Sequence, residues 1–193
     1  MTEEREKRAR SGRTKQRILA AARRLFASEG YERTTIRAVA AAADIDPAMV
    51  MRYFGSKEGL FAEAATFDLA LPALSSVPRR ERGRRLARHY VDLWGRQSAG
   101  GGLAILLRAG ATNDGAADRV REIFRTQVLP TIAAVVTDAA PTRAVLIASQ
   151  LLGFAYCRYV VRIPALVSLD DEIIVSNLAR SIQRCLDGPI GAD

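Results

Sequence analysis

Cysteine and histidine are nearly missing from these 193 residues: Cys157, Cys185 and His89 are the whole supply. Two cysteines without ligand spacing make neither a metal site nor a disulfide framework. A single histidine gives no multi-histidine metal site and no histidine-based triad within one chain. Gly100-Gly101-Gly102 follows no strand-like segment and has no Lys-Ser/Thr partner, so it reads as a loop and not a phosphate cradle. These gaps exclude the common catalytic constellations, and no enzyme, metal or cofactor is expected. No apolar run reads as long enough for a membrane span. The start, Met1-Thr2-Glu3-Glu4-Arg5-Glu6-Lys7-Arg8, has no apolar stretch of the kind a secretory signal needs. The expectation is a cytoplasmic protein. Internal repeats and strand-like alternation are lacking as well.

What is present is a hydrophobic fraction of 49%, ample for a buried core, and an uneven charge. Up to Lys57 there are thirteen basic residues against seven acidic ones, so this first third carries +6 of the formal +8. A basic segment attached to a nearly neutral remainder is the footprint of a polyanion-binding module. The arginine run Arg79, Arg80, Arg82, Arg84, Arg85 and Arg88 lies outside it and reads as a solvated helix face.

Periodicity is helical nearly throughout. After a basic arm, Thr14 can cap a helix over 14–28, with Ile18, Ala21, Ala22 and Leu25 forming one stripe. Gly30 supplies a positive-φ stop. Thr34-Thr35 opens a second short helix ending near Ala43. Asp46 and Pro47 open a third, stopped by Gly55, and Ser56 caps a fourth that is expected to reach Leu71. Pro72, Ser75, Ser76 and Pro78 mark a loop. Five more helices are predicted, over 82–97, 103–111, 116–137, 141–163 and 170–186, with Pro130 kinking or dividing the seventh. The fold expected is all-α with about nine helices. Its parts are a basic flexible arm (1–13), a three-helix head (14–57), and a larger helical domain (58–193).

Two short helices joined by about three residues, the second capped and displaying mixed side chains, form a helix-turn-helix signature. Ile36, Val39, Ala40, Ala43, Ile45, Val50 and Phe54 can make its core, and Asp44 takes a turn position in left-handed geometry. Gly30-Tyr31, Thr34-Thr35, Arg52-Tyr53-Phe54 and Ser56-Lys57-Glu58 together resemble the tetracycline-repressor-like (TetR) family over about residues 14–67. That resemblance implies a DNA-binding transcriptional regulator, with residues 14–57 as a helix-turn-helix DNA-binding domain and residues 58–193 as a helical ligand-binding and dimerisation domain. By position, Thr35 meets a phosphate, Arg37 reaches a guanine edge, and Pro47, Ala48, Met49 and Met51 face the major groove. Tyr53 and Lys57 hold phosphates, and Arg52 does either. Met51 departs from the family's usual tyrosine and favours thymine-methyl contacts there. The arm before Thr14 either enters the minor groove or is a solubilising tail.

The resemblance further implies a homodimer on a near-palindromic double-stranded operator, released by a small-molecule effector; the alternative is control by a protein partner or by abundance. For the effector, largely apolar in keeping with its surroundings, the candidates are Tyr90, Trp94, Leu106, Arg108, Phe124, Gln127, Gln150, Phe154 and Arg158. The eighth helix is apolar on nearly every side and needs cover on both. Leu152, Gly153, Tyr156 and Val160, with Ile174, Leu178 and Ile182 from the ninth helix, are therefore assigned to the dimer interface. The fourth helix, as the sole covalent link between head and body, is expected to transmit the ligand signal.

Overall fold

The structure, a computed structural model, describes residues 2–96, 102–110 and 113–190. The predicted loop residues Gly100 and Gly101 and the predicted helix ends at Gln97 and Ala111 lie outside them. The described residues are helical and contain no strand. In chain order they form α1 (Thr2–Arg33), α2 (Ile36–Ala43), α3 (Pro47–Phe54), α4 (Lys57–Ala64), α5 (Arg82–Arg96), α6 (Gly102–Ala109) and α7 (Asp114–Ile123). A π-helical turn over Phe124–Val128 leads into α8 (Leu129–Ala133). Then come α9 (Ala140–Ala155), a second π-helical segment over Tyr156–Val161, α10 (Pro164–Val167) and α11 (Asp171–Asp187).

The chain divides into two compact units, and the division is not a single cut after residue 57. Residues 1–67 and 99–119 form the first unit, and residues 68–98 and 120–193 the second. The chain therefore passes between units more than once, which corrects the idea of one covalent link.

In the first unit, α2, α3 and α4 have eight residues each, too short to be stable alone in water. Burial makes up the deficit. Ile18, Ala22 and Phe26 of α1 are sealed with Val39, Ala40, Val50 and Leu60, and each large side chain contributes about 1.5–3 kcal/mol. Leu25 of the predicted stripe is only half-buried, and Phe26 fills the core in its place. Three caps fit their sequence signals. Thr35 Oγ accepts from the Ala38 N–H, Asp46 from Ala48, and Ser56 from Gly59. Asp44 adopts the left-handed conformation at φ 52°, and Arg17 donates to the Ala43 carbonyl at 2.8 Å, closing the end of α2. At Gly59 only hydrogen fits, since a Cβ would stand 2.2 Å from the Phe54 carbonyl oxygen.

Two predicted boundaries are corrected here. Residues 2–13 continue α1 as helix where a flexible arm was expected, and α1 is broken only at Gly30 (φ 83°, ψ 173°). The fourth helix ends at Ala64 and not at Leu71, because Arg23 and Lys15 of α1 hold its last turn. Arg23 donates to the Ala64 carbonyl at 3.1 Å, and Lys15 pairs with Glu63 at 2.8 Å.

The second unit is organised by α11 lying along α5, with Leu86, Ala87, Tyr90 and Trp94 buried on one side and Ile174, Val175, Leu178 and Ile182 on the other. Gly83 lets the two backbones approach, since a Cβ there would meet the Ala179 carbonyl at 2.5 Å. Pro130 has no N–H to give the fourth carbonyl back, and the ladder just before it slips by one residue. Leu129 donates to Phe124, five positions earlier, in the π turn that divides the predicted seventh helix. A second slip ends α9, where Arg162 turns left-handed at φ 60° and the Ile163 N–H returns to the Cys157 carbonyl at 3.0 Å.

Candidate DNA-binding surface

The first unit turns one face of α2 and α3 inward and leaves the other bare. Val39, Ala40, Ala43, Val50 and Phe54 are buried, while Thr35, Arg37, Pro47, Ala48, Met51 and Arg52 are exposed and Met49 is half-buried. Met51 keeps 43% of its surface accessible, an unusual position for a large apolar side chain unless something covers it. Asp46 and Pro47 start α3 with the cap and missing N–H that its first turn requires, so its N-terminal residues are held in a fixed frame. Thr35 does the same for α2, whose first N–H groups and positive dipole end suit an anion.

The motif residues beside this face are engaged with one another. Tyr31 stacks on Phe26 at 5.9 Å and meets Phe61 edge-on at 5.0 Å. The Lys57 ammonium lies 4.3 Å above the Tyr31 ring and donates to the Glu32 carbonyl at 3.2 Å. Tyr31 Oη donates to Glu58 at 2.8 Å. Burial, then this hydrogen bond, pushes the Tyr31 phenol up to about 12. Glu58 is held below the usual carboxylate range by its own backbone N–H and then by Tyr31. The buried Thr34 hydroxyl donates to the Gly30 carbonyl at 2.8 Å. Gly30-Tyr31, Thr34 and Lys57-Glu58 are thus one interlocked support around the end of α1, assembled from segments more than twenty residues apart.

Of the nine residues expected at DNA, eight lie on α2, α3 or the N-cap of α2, and Lys57 opens α4, all in this unit. Besides Thr35 and Lys57, whose partners are given above, Tyr53 and Arg52 have internal contacts. Tyr53 Oη is 3.0 Å from Ser11 Oγ on α1, with the Arg52 guanidinium 5.7 Å from the Tyr53 ring centre. The Ser11 contact had no signal in the sequence, because residues 1–13 read as an arm.

The nine residues expected at an effector are divided between the two units. Leu106 and Arg108 belong to the first unit, where Leu106 is fully buried and Arg108 donates to the Ala27 carbonyl of α1. Three polar candidates of the second unit are tied to their own chain. Gln127 Oε1 accepts from the Leu69 N–H at 2.7 Å. Gln150 donates to Cys185 Sγ at 3.2 Å and accepts from the Ser181 hydroxyl, linking α9 to α11. Arg158 donates to the carbonyls of Leu166 and Leu169, clamping α10. What does assemble is aromatic. Tyr90 lies 6.4 Å from Trp94 and 6.3 Å from Phe154, and Trp94 stacks on Tyr159 at 4.3 Å and 5°. Tyr159 was missed, one position past Arg158. Phe124 is half-buried in the π turn.

The expected interface residues also separate. Ile174, Leu178 and Ile182 point into their own unit, at 2%, 9% and 0% exposure, and so present no surface. Leu152 and Val160 are half-buried, and Gly153 and Tyr156 are exposed. Among the described residues of this unit, the exposed large apolar positions are Val145, Leu146, Tyr156, Val161, Ile163, Val167 and Ile173. The stretch Ala140–Val161 is long and apolar enough to cross a membrane by length and composition, contrary to expectation, with only 17% of its most apolar window buried. Arg143, unremarked in the sequence, is buried there; it pairs with Asp138 at 2.9 Å and donates to the carbonyls of Cys185 and Gly188.

Residues 18–64 match the family described as bacterial regulatory proteins, tetR family, and residues 81–186 match the tetracyclin repressor-like C-terminal domain. No functionally curated protein matches the chain. Among solved structures, a TetR-family regulator from Streptomyces coelicolor A3 is 27% identical at a TM-score of 0.58, covering 91% of this chain and 95% of that one. A transcriptional regulator from Rhodococcus sp. Rha1 is 25% identical at 0.68, covering 90% and 96%. The multidrug binding protein EbrR, in complex with imidazole, is 25% identical at 0.66, covering 92% and 91%.

Proposed function

The chain belongs to the TetR family of DNA-binding transcriptional regulators, and from that premise we propose a repressor that binds a near-palindromic operator as a homodimer and is released by a small, largely apolar effector. The observation that carries the DNA reading is the bare face of α2 and α3, with Arg37, Pro47, Ala48, Met51 and Arg52 exposed on helices whose other side is core. Arg37 reads a base edge and Met49 and Met51 lie against thymine methyls, while Thr35, Tyr53 and Lys57 meet phosphates. Reading chromosomal DNA places the protein in the cytoplasm.

Homodimerisation is supported by Val145, Leu146, Tyr156 and Val161, 40–53% exposed on the apolar α9 and the π segment that follows it. Gly153, exposed on the same helix, permits close approach of a second copy. Two heads are needed because each reads half of an operator, with half-sites about 34–36 Å apart or a multiple of that. An effector is supported by the ring cluster Tyr90, Trp94, Phe154 and Tyr159 and by the likeness to a protein described as multidrug-binding.

The test is reciprocal. Operator affinity of the full chain is measured with and without a candidate effector, and effector affinity with and without saturating operator. A true inducer weakens operator binding about 5- to 150-fold and is weakened by operator to the same extent. Equal effector affinity in both states removes that compound, and equality for every tight binder removes release by ligand altogether.

A further inference from the structure

Two hydrogen-bond donors in the second unit are buried and unused. Tyr90 and Trp94 are 7% and 5% exposed, and Tyr90 Oη and Trp94 Nε1 have no partner in the structure. Tyrosine and tryptophan usually satisfy their polar atom when buried, and leaving one unsatisfied costs about 1–3 kcal/mol. The two side chains are four residues apart on α5 and so share one face of it, with ring centres 6.4 Å apart. The surrounding groups do not relieve them. Phe154 has no polar atom, and Tyr159 lies flat against the Trp94 indole, stacked at 4.3 Å. Arg158, next to Tyr159, brings donors only, and its guanidinium is taken up by the carbonyls of Leu166 and Leu169 and by Asp171 at 3.7 Å. Burial pushes the Tyr90 phenol well above the ordinary tyrosine range, which keeps it a donor at any physiological pH.

We infer that the effector is a flat, uncharged or anionic aromatic molecule whose oxygen or ring-nitrogen acceptors take the hydrogen bonds of Tyr90 Oη and Trp94 Nε1. This rests on the effector reading above and narrows it. A plain hydrocarbon would match the rings but leave both donors unsatisfied. An aromatic cation would offer no acceptor and would stand near the Arg158 guanidinium. A carbonyl, carboxylate or pyridine-type nitrogen on a flat ring system satisfies the donors and the ring walls together.

Trp94 is the only tryptophan in the chain, so its emission reports directly on this site. The full-length protein is titrated by calorimetry, with Trp94 emission followed in parallel, against three tricyclic probes: fluorene, 9-fluorenone and N-methylacridinium. Fluorenone differs from fluorene by one carbonyl acceptor and is expected to bind at least about 10-fold more tightly, the size of one well-made buried hydrogen bond. The cation is expected to bind more weakly than fluorenone. In Tyr90→Phe or in Trp94→Phe the preference for fluorenone over fluorene should fall to within about 3-fold, whatever happens to the affinity for both. Equal binding of fluorene and fluorenone, a preference unchanged in both variants, tighter binding of the cation, or no binding of any probe overturns the inference. A second measurement needs no ligand. Tyr90→Phe removes only an unpaired hydroxyl, so its Tm should equal or exceed that of the starting protein. A fall of more than about 3 °C would mean that the hydroxyl has a partner in the protein and would overturn the inference too. Operator affinity measured at saturating fluorenone separates the two levels. If the acceptor preference holds while operator binding is unchanged, the ligand chemistry stands and the release mechanism fails.

Discussion

In the unit built on α1 to α4, the side chains that make the sequence conspicuous are spent on one another. Tyr31 holds Glu58, Lys57 covers Tyr31, and Thr35, Asp46 and Ser56 each close a helix end. In the unit built on α5, α9 and α11, two buried donors are left over and an apolar helix lies bare. The difference separates two ways of being functional. A surface that reads a rigid polyanion must be pre-formed, so its supports are satisfied before DNA arrives. A site for a small molecule and a face for a second copy are completed by what binds, and until then they carry unsatisfied groups. Unfinished chemistry is therefore the signal to follow around α5 and α9, and finished chemistry around α1 to α4, although the first unit has its own buried unpartnered donor, Arg119 Nε, outside those helices.

The largest expected effect attacks the bare face. Tyr156→Glu combined with Val161→Asp places two charges where the second copy is proposed to pack. Light scattering should then give the mass of one chain, and operator affinity should fall about a thousand-fold as two linked half-site contacts become one. A dimer of full affinity would move the interface elsewhere. The next effect is on stability. Arg143→Met removes the guanidinium that serves Asp138 and the carbonyls of Cys185 and Gly188, binding the start of α9 to the end of α11. Leaving those groups unserved should cost about 2–4 kcal/mol in thermal unfolding, less whatever water returns to the exposed Asp138. A loss under about 1 kcal/mol would mean that the segment relaxes freely and that the second unit is less tightly determined than its bonds suggest.

The same contrast governs what could be read in advance. The caps at Thr35, Asp46 and Ser56, the left-handed Asp44 and the glycine stops at Gly30 and Gly55 depend on a few neighbouring residues, and they are legible. The end of α4 is not, because the group that holds it, Arg23, lies 41 residues away in sequence. Nor is the direction of α11. An apolar stripe of Ile174, Leu178 and Ile182 has the same period whether it packs on α5 or on another copy, and only the burial shows which. Arg108, Gln127, Gln150 and Arg158 looked poised for a ligand because polar groups among apolar ones need partners. Backbone carbonyls and N–H groups supply most of those partners, and periodicity does not show where they end up. The reverse holds for Pro130, whose missing N–H foretold a break in the seventh helix.

On the DNA-reading face the effects are smaller and differ in kind. Arg37→Ala should cost roughly 1–3 kcal/mol of operator affinity and relax preference at one base position. Lys57→Ala should weaken binding to all sequences alike and flatten the salt dependence by about one unit of slope. Since Lys57 also caps the Tyr31 ring, Lys57→Arg serves as a control that keeps the charge. Fluorescence anisotropy on operator and scrambled DNA across salt concentrations reads both effects. Wild-type behaviour of Arg37→Ala and Lys57→Ala throughout would take α2 and α3 out of contact with DNA.

The smallest effect bears most directly on the contrast, because it sets one tyrosine against another. Tyr31 and Tyr90 both hold their protons more tightly than a free phenol, burial being the leading cause in each. Only Tyr31 donates to a carboxylate. Tyr31→Phe should therefore destabilise the first unit by about 0.5–1.5 kcal/mol at pH 7, where Tyr90→Phe should cost the second unit nothing. The pH dependence follows from the sign of the shift. The Tyr31 pKa in the fold, about 12, lies above the ordinary 10.0, so its contribution is complete below pH 10 and is lost as pH rises through about 12. The stability gap between the starting protein and Tyr31→Phe should accordingly be constant from pH 7 to pH 10 and shrink above it. At the acid end, Glu58 is held below its ordinary value, so its contribution is present above pH 4.5 and fades as pH falls through its lowered pKa. Chemical denaturation at stepped pH measures both limits. A gap that is absent at pH 7, or that widens above pH 10, would mean that the Tyr31–Glu58 bond does not support the head, and the first unit would then be no more finished than the second.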